Sequence, residues 1–246
     1  MPRLTTAQWL WVAGAAAVIG FSKMGLGGVL TIIIPLLAIV FGGKESTGMV
    51  LPISLLGDIM AISYYRRAAD WQSIRRLIPW ALAGIAVGTV VGWMVNDGTF
   101  TMIIGVTVLL CAAVLIVLEV GGDRVKVPRR MWFFALMGVL GGFTTMIGNA
   151  AGPVMTVYLL AMGMNKENFV GTYAWFFLIV NAIKMPLQLF LWRSIGGPEL
   201  LMALAMIPII AGGAAFGAYV VKRIPEKPFR YTVIALTAAA GLRIFL

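Results

Sequence analysis

"MWFFALMGVLGGFTTMIGNAAGPVMTVYLLAMG", residues 131–163, runs for 33 positions without a charged side chain. As one α-helix rising about 1.5 Å per residue it would reach about 50 Å, against about 30 Å for the hydrocarbon core of a bilayer. An upright crossing cannot use that length. The stretch carries its own break, "GNAAGP" at 148–153, with Pro153 placed for the first turn of a new helix, where a missing N–H costs nothing. The spacing predicts two half-helices of about 15 residues each. They would enter and leave the membrane on the same side, as a re-entrant hairpin.

The chain as a whole is 61% hydrophobic and 11% charged, with a mean hydropathy of +0.98, whereas about 25% of the residues of a soluble domain are charged. Apolar tracts cover 8–42, 46–65, 77–95, 99–118, 131–163, 168–192, 200–221 and 229–246, most of them near the roughly 20 residues that cross a bilayer. An all-α integral membrane protein follows. The net charge of +10 does not point to nucleic acid, because the basic residues fall in short loops rather than on one polar face. Histidine is absent and the single cysteine, Cys111, lies in an apolar tract, so no metal, other cofactor or disulfide is expected. No Ser-His or Cys-His pair exists to support an enzyme, and "GLGG" at 25–28 lacks the GK[ST] of a phosphate loop. Arg3 followed by "WLWVAGAAAVIG" imitates a signal peptide, but a similar glycine-broken tract recurs in mid-chain, so cleavage is not expected.

That recurrence is an internal repeat. "GFSKM" at 20–24 matches "GFTTM" at 142–146, and Lys44-Glu45 matches Lys166-Glu167 at the same offset. Pro79, Ala86, Gly88, Val91 and Phe100 match Pro208, Ala215, Gly217, Val220 and Phe229 at a slightly larger one. The division expected is a first membrane repeat at 1–122, a basic linker at 123–130 and a second repeat at 131–246. The loops at 66–76, 120–131 and 221–230 each carry four basic residues against one acidic residue, which places all three in the cytoplasm. The linker and the loop at 221–230 share a side only if 131–163 makes an even number of crossings. Folding 8–42 in the same way leaves three full crossings in each half. Three is odd, so the second repeat is inverted relative to the first and both termini face outside.

Irregular backbone at membrane depth is tolerated where protein or a water-filled cavity satisfies it, and inverted-repeat carriers use such places to bind substrate. At the first break Gly25, Gly27 and Gly28 let the chain turn beside Ser22 and Lys23; at the second, Thr144, Thr145, Asn149 and Gly152-Pro153 take the corresponding places. The other ionisable residues deep in apolar tracts are Asp58 and Lys184. A charge at the bilayer centre costs about 2.5–3.5 kcal/mol on insertion scales, so each needs a reason. Two lysines against one aspartate leave a surplus of positive charge suited to a small anion. The structural alternatives are Lys23 as a cap for half-helix carbonyls, an Asp58–Lys184 bridge, and Asn149 and Asn181 as backbone caps near a kink. The glycines at 84, 88, 92, 213 and 217 suit close helix packing, which is also compatible with a homodimer.

"GFSKMGLGGVLTIIIPLLA", "KESTGMVLPISLLGDIMAISYYRRAADW" and "MIGNAAGPVMTVYLLAMGMNKENFVGTYAWFFLIVNAIKMP" together resemble the sulfite exporter TauE/SafE family, in order and spacing, over nearly the whole chain. The resemblance puts Lys23, Asp58, Asn149, Thr172 and Lys184 on motif positions. It implies a multi-pass secondary transporter in the bacterial cytoplasmic membrane that exports a small sulfur anion, sulfite or an organosulfonate. Its partners would be that anion and the lipid bilayer. The alternative is a channel-like or cation- or metal-handling membrane protein in which Asp58 is the ligand.

Overall fold

A computed structural model of the chain describes residues 5–24, 30, 33–34, 37, 40–96, 98–99, 102, 106, 113, 130–225, 227–229, 231–232 and 235. Among the described residues the architecture is all-helical, with no strand. Helix α1 spans Thr6–Lys23, α2 Gly43–Tyr65, α3 Trp71–Met94, α4 Met131–Gly148, α5 Gly152–Ala161 and α6 Lys166–Pro186. A π-helical turn at Leu187–Leu191 prolongs α6, and α7 (Gly197–Ala205) and α8 (Ile207–Arg223) follow. Local chemistry sets the starts: Thr5 and Gln8 form a reciprocal capping box on α1, Asp70 accepts from the N–H groups of Gln72 and Ser73 on α3, and Asn165 accepts from Asn168 N on α6.

By length and composition, Glu45–Tyr65, Trp71–Met94, Met131–Gly148 and Lys166–Leu191 can each cross a membrane, and α7 with α8 makes a fifth candidate bent by 51°. The bend falls at Met206, just before Pro208 in the first turn of α8, so the tract expected to cross straight at 200–221 is two helices. The tract at 131–163 breaks where "GNAAGP" predicts. Its two pieces are unequal, 18 and 10 residues rather than two of similar length. Phe133 and Phe134 at the start of α4 pack their rings against Tyr158 near the end of α5, 6.2 and 5.9 Å between centroids. Both ends of the tract therefore stand at one end of the bundle.

That end also gathers the basic loop at 66–76 and the start of the one at 221–230. Arg76 lies over the Phe134 ring, Trp175 Nε1 donates to Arg66 O, and Lys166 Nζ donates to Val221 O and Ile224 O at the close of α8. Large apolar side chains such as Trp93, Met94, Phe190 and Leu10 point outward, as lipid-facing residues do.

Glycine seams hold the helices together at backbone-contact distance. A Cβ added at Gly142 would stand 2.0 Å from Ala81 O, at Gly84 2.1 Å from Val139 O, and at Gly88 3.1 Å from Phe143 O, which defines the α3–α4 crossing. On the other side Gly20 meets Ile210 O, Gly213 meets Ala17 O and Gly217 meets Phe21 O, which defines the α1–α8 crossing. The two crossings correspond contact by contact. Positions 17, 20 and 21 stand 122 before 139, 142 and 143, and positions 81, 84 and 88 stand 129 before 210, 213 and 217. Between the two seams α2 lies beside α6, with Asp58 next to Asn181.

A Cβ at Gly20, Gly84, Gly142, Gly213 or Gly217 collides with main chain, which cannot rotate away. Gly142→Ala should therefore cost about 1–3 kcal/mol through forced separation of α3 and α4. Gly14→Ala, on an exposed stretch of α1 with nothing within 4 Å, should be neutral or slightly stabilising. Melting temperatures of the purified variants in detergent check the contrast; equal melting would contradict it.

Candidate functional site

Lys23 is the last residue of α1 and Asn149 caps α4, so each break presents a polar side chain to the bundle interior. Asn149 holds φ 52°, a left-handed conformation that asparagine tolerates, and its N–H closes the last turn on Thr145 O at 3.0 Å. Asp58 comes from the middle of α2, Asn181 and Lys184 from one face of α6, three residues apart. All these side chains are buried, Lys184 and Asp58 completely and Lys23 to within 2%.

They form one chain of contacts. Lys23 Nζ lies 2.8 Å from Asp58 Oδ1 and 4.8 Å from the centroid of the Phe177 ring, a cation–π contact. Asn181 Nδ2 donates to Asp58 Oδ2 at 2.6 Å, so each carboxylate oxygen has a partner. Lys184 Nζ donates to Asn149 Oδ1 at 2.5 Å, Thr145 Oγ1 at 3.0 Å and Asn181 Oδ1 at 3.4 Å. Asn149 Nδ2 reaches Thr47 O at 3.4 Å, which ties the second break to α2. Gly57 makes room for the lysine stem, since a Cβ there would be 3.0 Å from Lys23 Cγ.

Among the described residues the buried lysine, arginine and carboxylate side chains are Lys23, Asp58 and Lys184. Lys23 has the carboxylate as counter-charge; Lys184 has only neutral oxygens, on which all three of its protons are spent. Each ammonium lies at the C-terminal end of a half-helix, Lys23 on α1 and Lys184 against the last turn of α4. The negative end of the helix dipole partly offsets the burial of each charge there. Beyond Asn149 the helix α5 starts without a side-chain cap, and the residues of its first turn are buried, which leaves N–H donors at its positive end.

Of the residues singled out in the sequence, Lys23, Asp58, Thr145, Asn149 and Lys184 come together in this network. The Asp58–Lys184 bridge does not form directly, because Asn181 stands between the two and the ion pair goes to Lys23. Ser22 is buried beside Lys23. Gly25 and Gly27 lie outside the described residues. Thr172 stands apart: its Oγ1 accepts from Asp70 N at 2.9 Å, about three turns along α6 from Lys184, where it anchors the loop between α2 and α3.

Asn181, read from the sequence as a backbone cap, is the link between the two charges. Ser54 and Gln188, which no motif flagged, are fully buried polar residues whose side-chain oxygens and amide nitrogen have no hydrogen-bond partner. The signal available was helical spacing: Ser54 is four residues before Asp58 and Gln188 four after Lys184. Leaving such groups unpaired costs about 1–3 kcal/mol each.

The family model for the sulfite exporter TauE/SafE matches residues 12–244, which takes in nearly the whole chain. Comparison with curated proteins and with solved structures gave no match.

Breaking the buried pair by Asp58→Leu should destabilise the protein by about 3–5 kcal/mol, because the Lys23 ammonium is left without its counter-charge. Lys23→Met together with Asp58→Leu should recover most of that loss, read as a melting temperature in detergent. A double variant no more stable than Asp58→Leu alone would show that the penalty has another origin.

Proposed function

The chain belongs to the sulfite exporter TauE/SafE family, whose members are membrane transporters rather than enzymes, and from that premise we propose that it is a secondary transporter exporting a small sulfur-containing anion such as sulfite or an organosulfonate. The observation that carries this is the surplus charge: one carboxylate for two buried ammonium groups, with Lys184 held only by neutral oxygens. A bound monoanion would neutralise the network. Lys184 supplies the field, and the uncapped start of α5 supplies N–H donors on the far side of Asn149. Export of one negative charge is also favoured by a membrane potential negative inside, by about 2.3 kcal/mol per 100 mV. A cation or metal held by Asp58 fits less well, since both carboxylate oxygens are already engaged by Lys23 and Asn181.

The transport cycle we propose is alternating access between two inverted repeats, 1–122 and 131–246, joined by the basic linker at 123–130. The paired glycine seams support a two-fold relation between the halves. Inversion is supported by 131–163, whose two ends stand together on the side of Arg76, as a re-entrant hairpin requires. The substrate site then lies where the two broken tracts meet, and the breaks allow one half to rock against the other. With the basic loops in the cytoplasm, the protein sits in the bacterial inner membrane with both termini outside. Asp58 is the group through which substrate binding is coupled to the Lys23 pair.

Labelled sulfite flux in proteoliposomes tests the function. Lys184→Met should abolish flux while melting temperature changes little, and Lys184→Arg should keep partial flux, because a guanidinium keeps the charge but misplaces it. Since one anion needs both lysines, the Lys23→Met and Lys184→Met double variant should bind no more weakly than either single one. Additive losses in affinity would assign the lysines to separate sites. For orientation, a cysteine at position 196 should be labelled by an impermeant reagent outside intact cells and one at 165 should not; labelling at 165 would overturn the re-entrant hairpin.

A further inference from the structure

Ser54 and Gln188 belong to the same stretch of the interior, and nothing in the lysine–aspartate network uses them. Three contacts set the antiparallel register of α2 against α6 and the segment that follows. Arg66 O meets Trp175 Nε1, Asp58 meets Asn181, and Gly48 packs on Ser194 O. Residue numbers fall along α2 as they rise along its partner, so Ser54 and Gln188 lie in one interval, between the Asp58–Asn181 level and the Gly48–Ser194 level. Each is one turn beyond a charged residue, Ser54 from Asp58 and Gln188 from Lys184, and both are displaced away from the basic loops. Gln188 falls in the π-helical turn Leu187–Leu191, just after Pro186, whose missing N–H breaks the regular ladder. Such turns often mark functional positions in helices.

The chemistry of the unpartnered atoms is specific. Lys184 has no proton left to give. Gln188 has a free Nε2 and a free Oε1, and Ser54 a free hydroxyl, all of them buried. An anion drawn by the charge of Lys184 would find its directional donors here. The free Oε1 adds a further requirement, because a carbonyl oxygen repels a bare oxyanion and accepts from a ligand hydroxyl.

We infer that Ser54 and Gln188 form an oxyanion subsite that selects a small monoanion carrying its own hydrogen-bond donor, such as hydrogensulfite, over an anion without one. The amide of Gln188 pairs with an S–O and an S–OH of the ligand at once, Nε2 donating and Oε1 accepting, while the Ser54 hydroxyl donates to a second oxygen. A doubly charged anion overcharges a site whose surplus is one. A monoanion with no hydroxyl, a simple organosulfonate included, leaves Oε1 unpaired, which narrows the substrate class proposed above to its sulfite member. Sites built to hydrogen-bond a ligand hydroxyl reject analogues that lack it far more strongly than apolar pockets reject a missing methylene.

This rests on the anion-transporter reading, and the test separates the two. Binding of sodium sulfite at pH 6, where hydrogensulfite dominates, is compared by calorimetry with binding of methanesulfonate, a monoanion with no donor. The proteins are the full chain in lipid nanodiscs, as wild type, Gln188→Met, Ser54→Ala and Lys184→Met. The wild type should bind sulfite at least about tenfold tighter than methanesulfonate. Gln188→Met should lose about tenfold or more in sulfite affinity and little in methanesulfonate affinity. Its melting temperature should hold or rise, because a buried unpaired amide has gone. Ser54→Ala should weaken both anions, and it decides the matter if Gln188→Met does not fold. Unchanged sulfite affinity in the folded variants, with binding lost in Lys184→Met, would overturn the subsite and leave the transporter reading standing. A wild type that binds neither anion would overturn both.

Discussion

Two buried lysines and one buried aspartate lie in the middle of this protein, and the polar contacts of its interior are arranged around that imbalance. Lys23 and Asp58 form the ion pair, Asn181 bridges from the aspartate to Lys184, and Lys184 is satisfied by the side chains of Thr145, Asn149 and Asn181. A charge in hydrocarbon is costly, and several features offset that cost. The lysines sit at the carbonyl ends of α1 and α4, where helix dipoles favour a cation. Phe177 offers the face of its ring to Lys23. These supports let the protein fold with two lysines and one aspartate in its interior, and a bound anion is what we propose balances them.

Helix packing explains how two interrupted segments are brought to the same place. The breaks leave α1 and α4 ending inside the bundle, and neither would be held there by hydrophobic burial alone, since lipid offers an equally apolar surface. Backbone-to-backbone seams hold them. Gly20, Gly213 and Gly217 fix α1 on α8, and Gly84, Gly138 and Gly142 fix α3 on α4. These seams bind each half-helix to one neighbour at backbone contact. The alternating access we propose would use these helix pairs as its moving parts.

The membrane character, the all-helical class and the position of the second break were legible in the sequence, because hydropathy, length and "GNAAGP" are local signals. Lys23, Asp58 and Lys184 were equally visible, since an ionisable residue inside an apolar tract is rare enough to stand out. Partnership was not visible. Nothing in the chain says whether Asp58 pairs with Lys23 or Lys184, and that depends on which face of α2 meets α6. Asn181 looked like a kink cap because its role needs a neighbour 123 residues away. Thr172, placed by motif among the site residues, accepts from Asp70 N, a contact that needs a neighbour 102 residues away. Gln188 and Ser54 carried no signal beyond their spacing from the charged residues, for a neutral polar side chain in a membrane helix is common and only the absence of a partner makes it informative.

The most direct test of the charge surplus is to locate an anion in it. Selenite has the pyramidal shape and oxygens of sulfite, and its selenium scatters anomalously. Crystals of the wild-type protein grown with selenite should give an anomalous peak beside Lys184, between the start of α5 and Gln188, and crystals of Lys184→Met should not. A peak confined to the lysines and arginines of the surface loops, with none in the interior, would contradict the claim that the buried charge exists to hold the substrate.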